Sequence, residues 1–189
     1  MTPNQELMAN IKRICGPLFD AISPPSAPAT SFPKAFIMAL TANETGIWIR
    51  TNADVPKRFE PTIYDRLLAV QQGGKPYGAI TPAMLISVTN ERLQDYASSW
   101  GLTQIMGYNV LPWEGWNLCD IQDPATHYKG TLRLLDEFER DFWLNPAKDF
   151  LEFFRCWNTG NPHGKTYDPN YADNGIARME AYQSLGGEP

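Results

Sequence analysis

Residues 33–44, PKAFIMALTANE, constrain this chain more than any other stretch. Ala35, Phe36, Ile37, Met38, Ala39, Leu40 and Ala42 leave almost no polar face, so a helix built from them must be enclosed by the rest of the molecule. Ser31 offers an N-cap, Pro33 a first-turn residue, and Gly46 follows the end. The remainder has to surround this helix. With 189 residues, 43% of them hydrophobic and 20% charged, the chain is sufficient for a single domain with a substantial core.

The surrounding patterns are mostly helical. Residues 5–22 carry Leu7, Met8, Ile11, Ile14, Cys15, Leu18, Phe19 and Ile22 at spacings of three and four, an amphipathic helix with Pro17 as a kink. A proline-rich connection up to residue 30 follows it. The runs IWIR and KRFE, separated by TNADVP, predict a small β-hairpin. Pro61 then opens a short helix that Gly73-Gly74 closes. Residues 75–97 are ambiguous, with Thr81-Pro82 and Asn90 as helix starts. Helices are expected over 131–144 and 147–157, with Asn145-Pro146 as the turn between them. A last helix runs from Tyr171 to Leu185, and residues 186–189 form a tail. The pattern is that of one mainly α domain (α+β) with a single small hairpin.

Charge and special residues exclude several classes. A net charge of −5 and the lack of a Lys/Arg cluster argue against nucleic acid or an anionic membrane surface as partner. Cys15, Cys119 and Cys156 form no paired motif and read as buried or partly buried free thiols. With His127 and His163 as the only imidazoles, neither a histidine metal site nor a Ser-His-Asp triad is expected. No metal or cofactor is implied. The N-terminus lacks the unbroken apolar run of a signal peptide, which predicts synthesis in the cytoplasm.

Glu44 is the sharpest chemical candidate. It stands in the last turn of the apolar helix, where desolvation and the negative end of the helix dipole both raise a carboxyl pKa. A carboxyl kept protonated near neutral pH can serve as a general acid for glycosidic cleavage. The bland alternative is a solvated helix-end acid. In YASSWGLTQIMGYN (96–109), Gly101 allows the backbone to approach a ligand, Ser98 or Ser99 can cap a helix, and Gln104 would project from its first turn into a cleft. Ile105 and Met106 read as core. Trp100 and Tyr108 read equally as sugar-stacking faces or as packing, and Trp113 and Trp116 as an exposed aromatic platform. Glu60 is the leading second carboxylate, with an ion pair to Arg58 or Lys57 as its alternative role.

Three segments carry a resemblance to a known family. ALTANETG resembles the catalytic-glutamate segment of the lysozyme-like superfamily, particularly lytic transglycosylases. SSWGLTQIMGYN resembles their Gly-Leu-Met-Gln-Ile-Met segment, with Thr103 in place of a methionine. FFRCWNTG resembles their Ala-Tyr-Asn-Ala-Gly segment, with Asn158 and Gly160 in register. The long separation of Glu44 from Gly101 is more similar to the phage-type N-acetylmuramidase family of endolysins. Arg58, Phe59, Glu60, Ile63, Tyr64 and then Ser99, Trp100, Gly101, Leu102, Gln104, Ile105, Met106, Gly107 and Asn109 fit that pattern. The likeness covers residues 30–184, but Pro61-Thr62 stand where that family has Arg-His, and residues 158–162 depart from a compact Tyr-Asn-Gly-Pro.

The resemblance implies a lysozyme-like fold and cleavage of the β-1,4 bond between N-acetylmuramic acid and N-acetylglucosamine. Glu44 would act as general acid and Glu60 as the second carboxylate, with Gln104, Trp100, Gly101, Tyr108, Asn158 and Tyr171 binding substrate. Two alternatives stay open. One is a lytic transglycosylase that uses the same Glu44 and yields 1,6-anhydromuropeptides; the other is a non-catalytic peptidoglycan-binding protein. The expected partner is the peptidoglycan glycan strand, met by a monomer at the cell wall after release or delivery, as for a phage or prophage endolysin or a secreted effector.

Overall fold

Helix α2 (Lys34–Thr45) is enclosed as its composition requires, with every residue from Ala35 to Leu40 fully buried. The computed structural model describes residues 1–22, 31–46 and 57–187. Around α2 pack α1 (Pro3–Ile22), α7 (Pro124–Phe142), α8 (Phe150–Thr159) and α9 (Tyr171–Ser184). They contribute Met8, Ile11, Phe19, Tyr128, Leu135, Phe153, Phe154, Met179 and Tyr182 to one core. Each large apolar side chain so buried stabilises the fold by about 1.5–3 kcal/mol. The one polar residue at the centre of α2 is satisfied: Thr41 donates to the Ile37 carbonyl at 2.9 Å and meets the Tyr128 hydroxyl at 3.0 Å. Pro33, not Ser31, occupies the N-cap, because its carbonyl takes the first helical hydrogen bonds from Phe36 and Ile37.

A second, smaller core gathers α3 (Pro61–Gln71), α4 (Pro82–Leu85) and α5 (Asn90–Tyr96) around Leu67, Val70, Ile80, Leu85 and Leu93. An antiparallel sheet of three short strands follows, β1 (Arg58–Phe59), β2 (Ser98–Trp100) and β3 (Ile105–Met106), in that order, and Ile105 of β3 joins a third cluster with Val110, Trp113, Leu118, Ile121 and Leu134. The chain is therefore mainly helical with a small β element, as expected. The strand expected at IWIR lies outside the described residues, and KRFE, which supplies β1, pairs with β2. A helix does not start at Ser98 or Ser99; these residues are strand, and 101–104 form the loop of a β2–β3 hairpin.

Other boundaries move for local reasons. Helix α7 begins at Pro124 rather than 131, because Asp123 caps it through the Ala125 amide at 3.0 Å. A short α6 (Leu118–Gln122), closed by a capping box between Asn117 and Asp120, lies in the glycine-rich middle where none was expected. Helix α8 runs from Phe150 to Thr159, so Asn158 is helical. Cys15 and Cys156 are buried free thiols, whereas Cys119 is exposed. Among the described residues no helix is long and apolar enough to cross a membrane.

Candidate active site

The C-terminal turn of α2 delivers Glu44 to the first residue of α9. The Tyr171 hydroxyl donates a hydrogen bond to the Glu44 carboxylate. This meeting depends on how α9 lies against α8: Gly175, one turn beyond Tyr171, has no room for a Cβ, which would come within 2.5 Å of the Phe154 ring. Burial lifts the Glu44 carboxyl from an ordinary 4.5 to about 7, with the Tyr171 hydroxyl and the Arg58 charge both pulling against that rise. Burial likewise pushes the Tyr171 phenol upward, reinforced by the neighbouring Glu44 charge.

A cavity of about 400 Å³ opens between the hairpin, α7 and α8. Its wall includes Arg58, Glu60, Gln104, Tyr108, Trp157 and Asn158. Four of the expected site residues, Glu60, Gln104, Tyr108 and Asn158, thus share one cleft. Among the described lining residues Glu44 and Tyr171 do not appear; Arg58 is the link, lining the cavity while acting on the Glu44 charge.

Glu60 is not a free carboxylate. Arg58 Nε donates to it at 2.6 Å, so the ion-pair role is the one its geometry displays. Gln104 stands on the hairpin loop with φ +56°, and both ends of its amide are engaged. Ser99 donates to its Oε1 at 2.7 Å and its Nε2 donates to the Gly101 carbonyl at 2.9 Å. One N–H and one lone pair are left over for a ligand. Tyr108 packs edge-on against Tyr77 with ring centres 5.5 Å apart. Met106, expected in the core, borders the cleft, whereas Ile105 is both buried and at its edge.

Other expected site residues have structural duties. Gly101 has φ +68°, and a Cβ there would come within 2.3 Å of the His127 ring, so the glycine makes room for an imidazole and not for a sugar. His127 is fully buried, with Nδ1 2.7 Å from the Ile121 carbonyl and Nε2 accepting from the Thr103 amide at 3.0 Å. Burial lowers its pKa from 6.5 to about 4, keeping it neutral. The Thr103 hydroxyl completes this network, 2.9 Å from both His127 and Thr131. Trp100 gives its indole N–H to the Asp95 carbonyl at 2.9 Å, and Lys57 covers its ring at 4.8 Å. Trp113 and Trp116 are not an exposed platform: Trp113 is buried, hydrogen-bonded to Glu137 at 2.7 Å, and Arg133 lies over both rings.

No family model, curated protein or solved structure matches the chain. The site therefore rests on its own geometry. No cluster of three or more metal-ligating side chains occurs among the described residues. The functional candidates that sequence reasoning passed over are Arg58 as more than a salt-bridge partner, and Asn43 and Arg178 behind Glu44. For Arg178 a signal existed: it follows Tyr171 by two helical turns and so shares its face of α9.

Proposed function

We propose that this chain cleaves the β-1,4 bond between N-acetylmuramic acid and N-acetylglucosamine in peptidoglycan, with Glu44 as the general acid. The observation that carries the reading is a half-buried carboxyl with its pKa raised to about 7, held by a tyrosine hydroxyl and reached by the charge of Arg58, which lines a polar and aromatic cleft. Near neutral pH such a group exists in both forms, so it can give a proton to the leaving glycosidic oxygen and later take one back. Gln104, Tyr108 and Asn158 then contact the glycan, and Tyr171 holds the carboxyl.

A specific observation favours the transglycosylase route as the second reading. Glu60 is held by Arg58 at 2.6 Å, and a carboxylate paired in this way is a poor base for water. In that route the muramic acetamido oxygen attacks the anomeric carbon as Glu44 protonates the leaving oxygen. The Glu44 carboxylate next removes the 6-hydroxyl proton, and that oxygen attacks the anomeric carbon, breaking its bond to the acetamido oxygen and closing the 1,6-anhydro ring. Mass spectrometry of digested wall separates the routes, since anhydro ends mark transfer and reducing ends hydrolysis. Glu44→Gln should keep the fold and abolish both products; substantial activity in that variant overturns the proposal.

A further inference from the structure

Two neighbouring residues on the last turn of α2 hold one residue of α9. Glu44 accepts from the Tyr171 hydroxyl, while Asn43 Nδ2 donates to the Tyr171 carbonyl at 2.9 Å. Tyr171 is thereby gripped at its ring end and at its backbone. Asn43 is itself oriented: Arg178 Nη1 donates to its Oδ1, which fixes the amide so that Nδ2 faces Tyr171. Arg178 lies on α9, two turns from Tyr171, so the grip closes on the helix it started from.

The arginine is held at a cost. Its Nε is buried and lacks a hydrogen-bond partner, and among the described residues no other buried side-chain nitrogen or oxygen is left so. A partly buried guanidinium with an orphaned N–H is a poor device for stability alone, because an apolar side chain of similar size would avoid the desolvation. The nearest charged and titratable groups acting on it are Tyr171 and Asp168.

We propose that Arg178 and Asn43 are positioning residues that set the Tyr171 hydroxyl on Glu44, and so fix the direction in which the acid presents its proton. This rests on Glu44 being the general acid. Among the described residues Arg178 makes no hydrogen bond or ion pair to Glu44 and does not line the cleft; it acts through Asn43 and the Tyr171 backbone, and its charge also bears on the Tyr171 phenol.

The test combines Arg178→Met, Arg178→Lys and Tyr171→Phe. Glu44 is followed by ¹³C NMR of its carboxyl across pH, the signal being identified by its absence from Glu44→Gln. This readout does not depend on any cleavage, so a failed clamp and a failed functional reading give different results. Arg178→Met should move the Glu44 midpoint upward, in the same direction as Tyr171→Phe. Adding it to Tyr171→Phe should move the midpoint no further, and Arg178→Lys should restore much of the wild-type value. On peptidoglycan, Arg178→Met should lower kcat on the order of ten- to a hundredfold with KM little changed. Its melting temperature should change little, because removal of the orphaned N–H offsets loss of the bond to Asn43 Oδ1. Should Arg178→Met fail to fold, Asn43→Ala puts the same question with the arginine retained. An unmoved midpoint, or an equal shift with and without the Tyr171 hydroxyl, overturns the proposal. If wild type does not cleave the wall while the midpoints behave as stated, the clamp stands and the functional reading falls.

Discussion

Replacing Glu44 by Gln should make the protein more stable, by a margin that opens as pH rises above 4.5 and is nearly full by 7. In the folded chain the carboxyl titrates at about 7 instead of 4.5, so the native state holds this proton more tightly than the unfolded state. The stability this provides is complete below pH 4.5 and is lost as pH rises through 7. Each pH unit between the two values corresponds to about 1.4 kcal/mol, an upper limit of about 3.5 kcal/mol that residual solvent screening trims to about 2–3 kcal/mol. Gln removes the penalty of a buried negative charge but keeps an oxygen to accept from Tyr171. For a chain of this size about 2–4 °C of melting temperature accompanies each kcal/mol, so Glu44→Gln should melt roughly 5–10 °C above wild type at alkaline pH. The assay is thermal unfolding of both proteins at pH 4 and pH 8.5. The gap should close at the lower pH. A gap of equal size at both values, or wild type melting higher at pH 8.5, would refute the reasoning.

Three other expectations bear on the fold around the site. The His127 ring should stay neutral down to about pH 4, as read by its imidazole carbon signals, and a midpoint near 6.5 would contradict its burial. Because its folded pKa is depressed, its contribution to stability is present above 6.5 and is lost as pH falls through 4, opposing the Glu44 trend across the overlap. Gly101→Ala should destabilise by about 2–5 kcal/mol, the sum of left-handed strain and a disrupted buried hydrogen bond, with or without glycan present. Denaturant titration measures this, and a near-neutral result would return the glycine to a ligand-clearing role. Glu60→Gln should leave stability nearly unchanged, since a partly exposed pair is worth under about 1 kcal/mol. Freed from Glu60, Arg58 should turn toward Glu44 and lower its midpoint; complete loss of cleavage would instead make Glu60 the second carboxylate.

What could be read without coordinates depended on whether the deciding contacts were local. Helix α2 was legible because an element apolar on nearly every face has one stable place, and Glu44 at its end followed from that. The hairpin at 98–106 was misread as a helix start because Ser, Gly and Gln suit a cap as well as a loop. The left-handed φ at Gly101 and Gln104 and the pairing of β2 with β1 are what decide it. Trp113 looked exposed among Pro, Gly and Glu, yet Glu137, far along the chain, claims its indole. Thr103 posed the same difficulty. A hydroxyl between Leu102 and Gln104 makes sense only once His127 and Thr131 are seen beside it. The capping signals at Asn117-Asp120 and Asp123-Pro124 were local and could have been read.

The hairpin loop has a mechanical meaning. Thr45 of α2 donates to the Leu102 carbonyl at 2.6 Å, the Thr103 amide donates to His127 of α7 at 3.0 Å, and Trp157 of α8 donates to the Thr103 carbonyl at 2.9 Å. Three helices are thus moored to two consecutive residues, like guy-lines on one peg. Elements moored in this way resist swinging together around a guest. On the proposed reading the glycan would meet a groove of set width, and the bending that brings a sugar ring toward a half-chair would fall on the sugar.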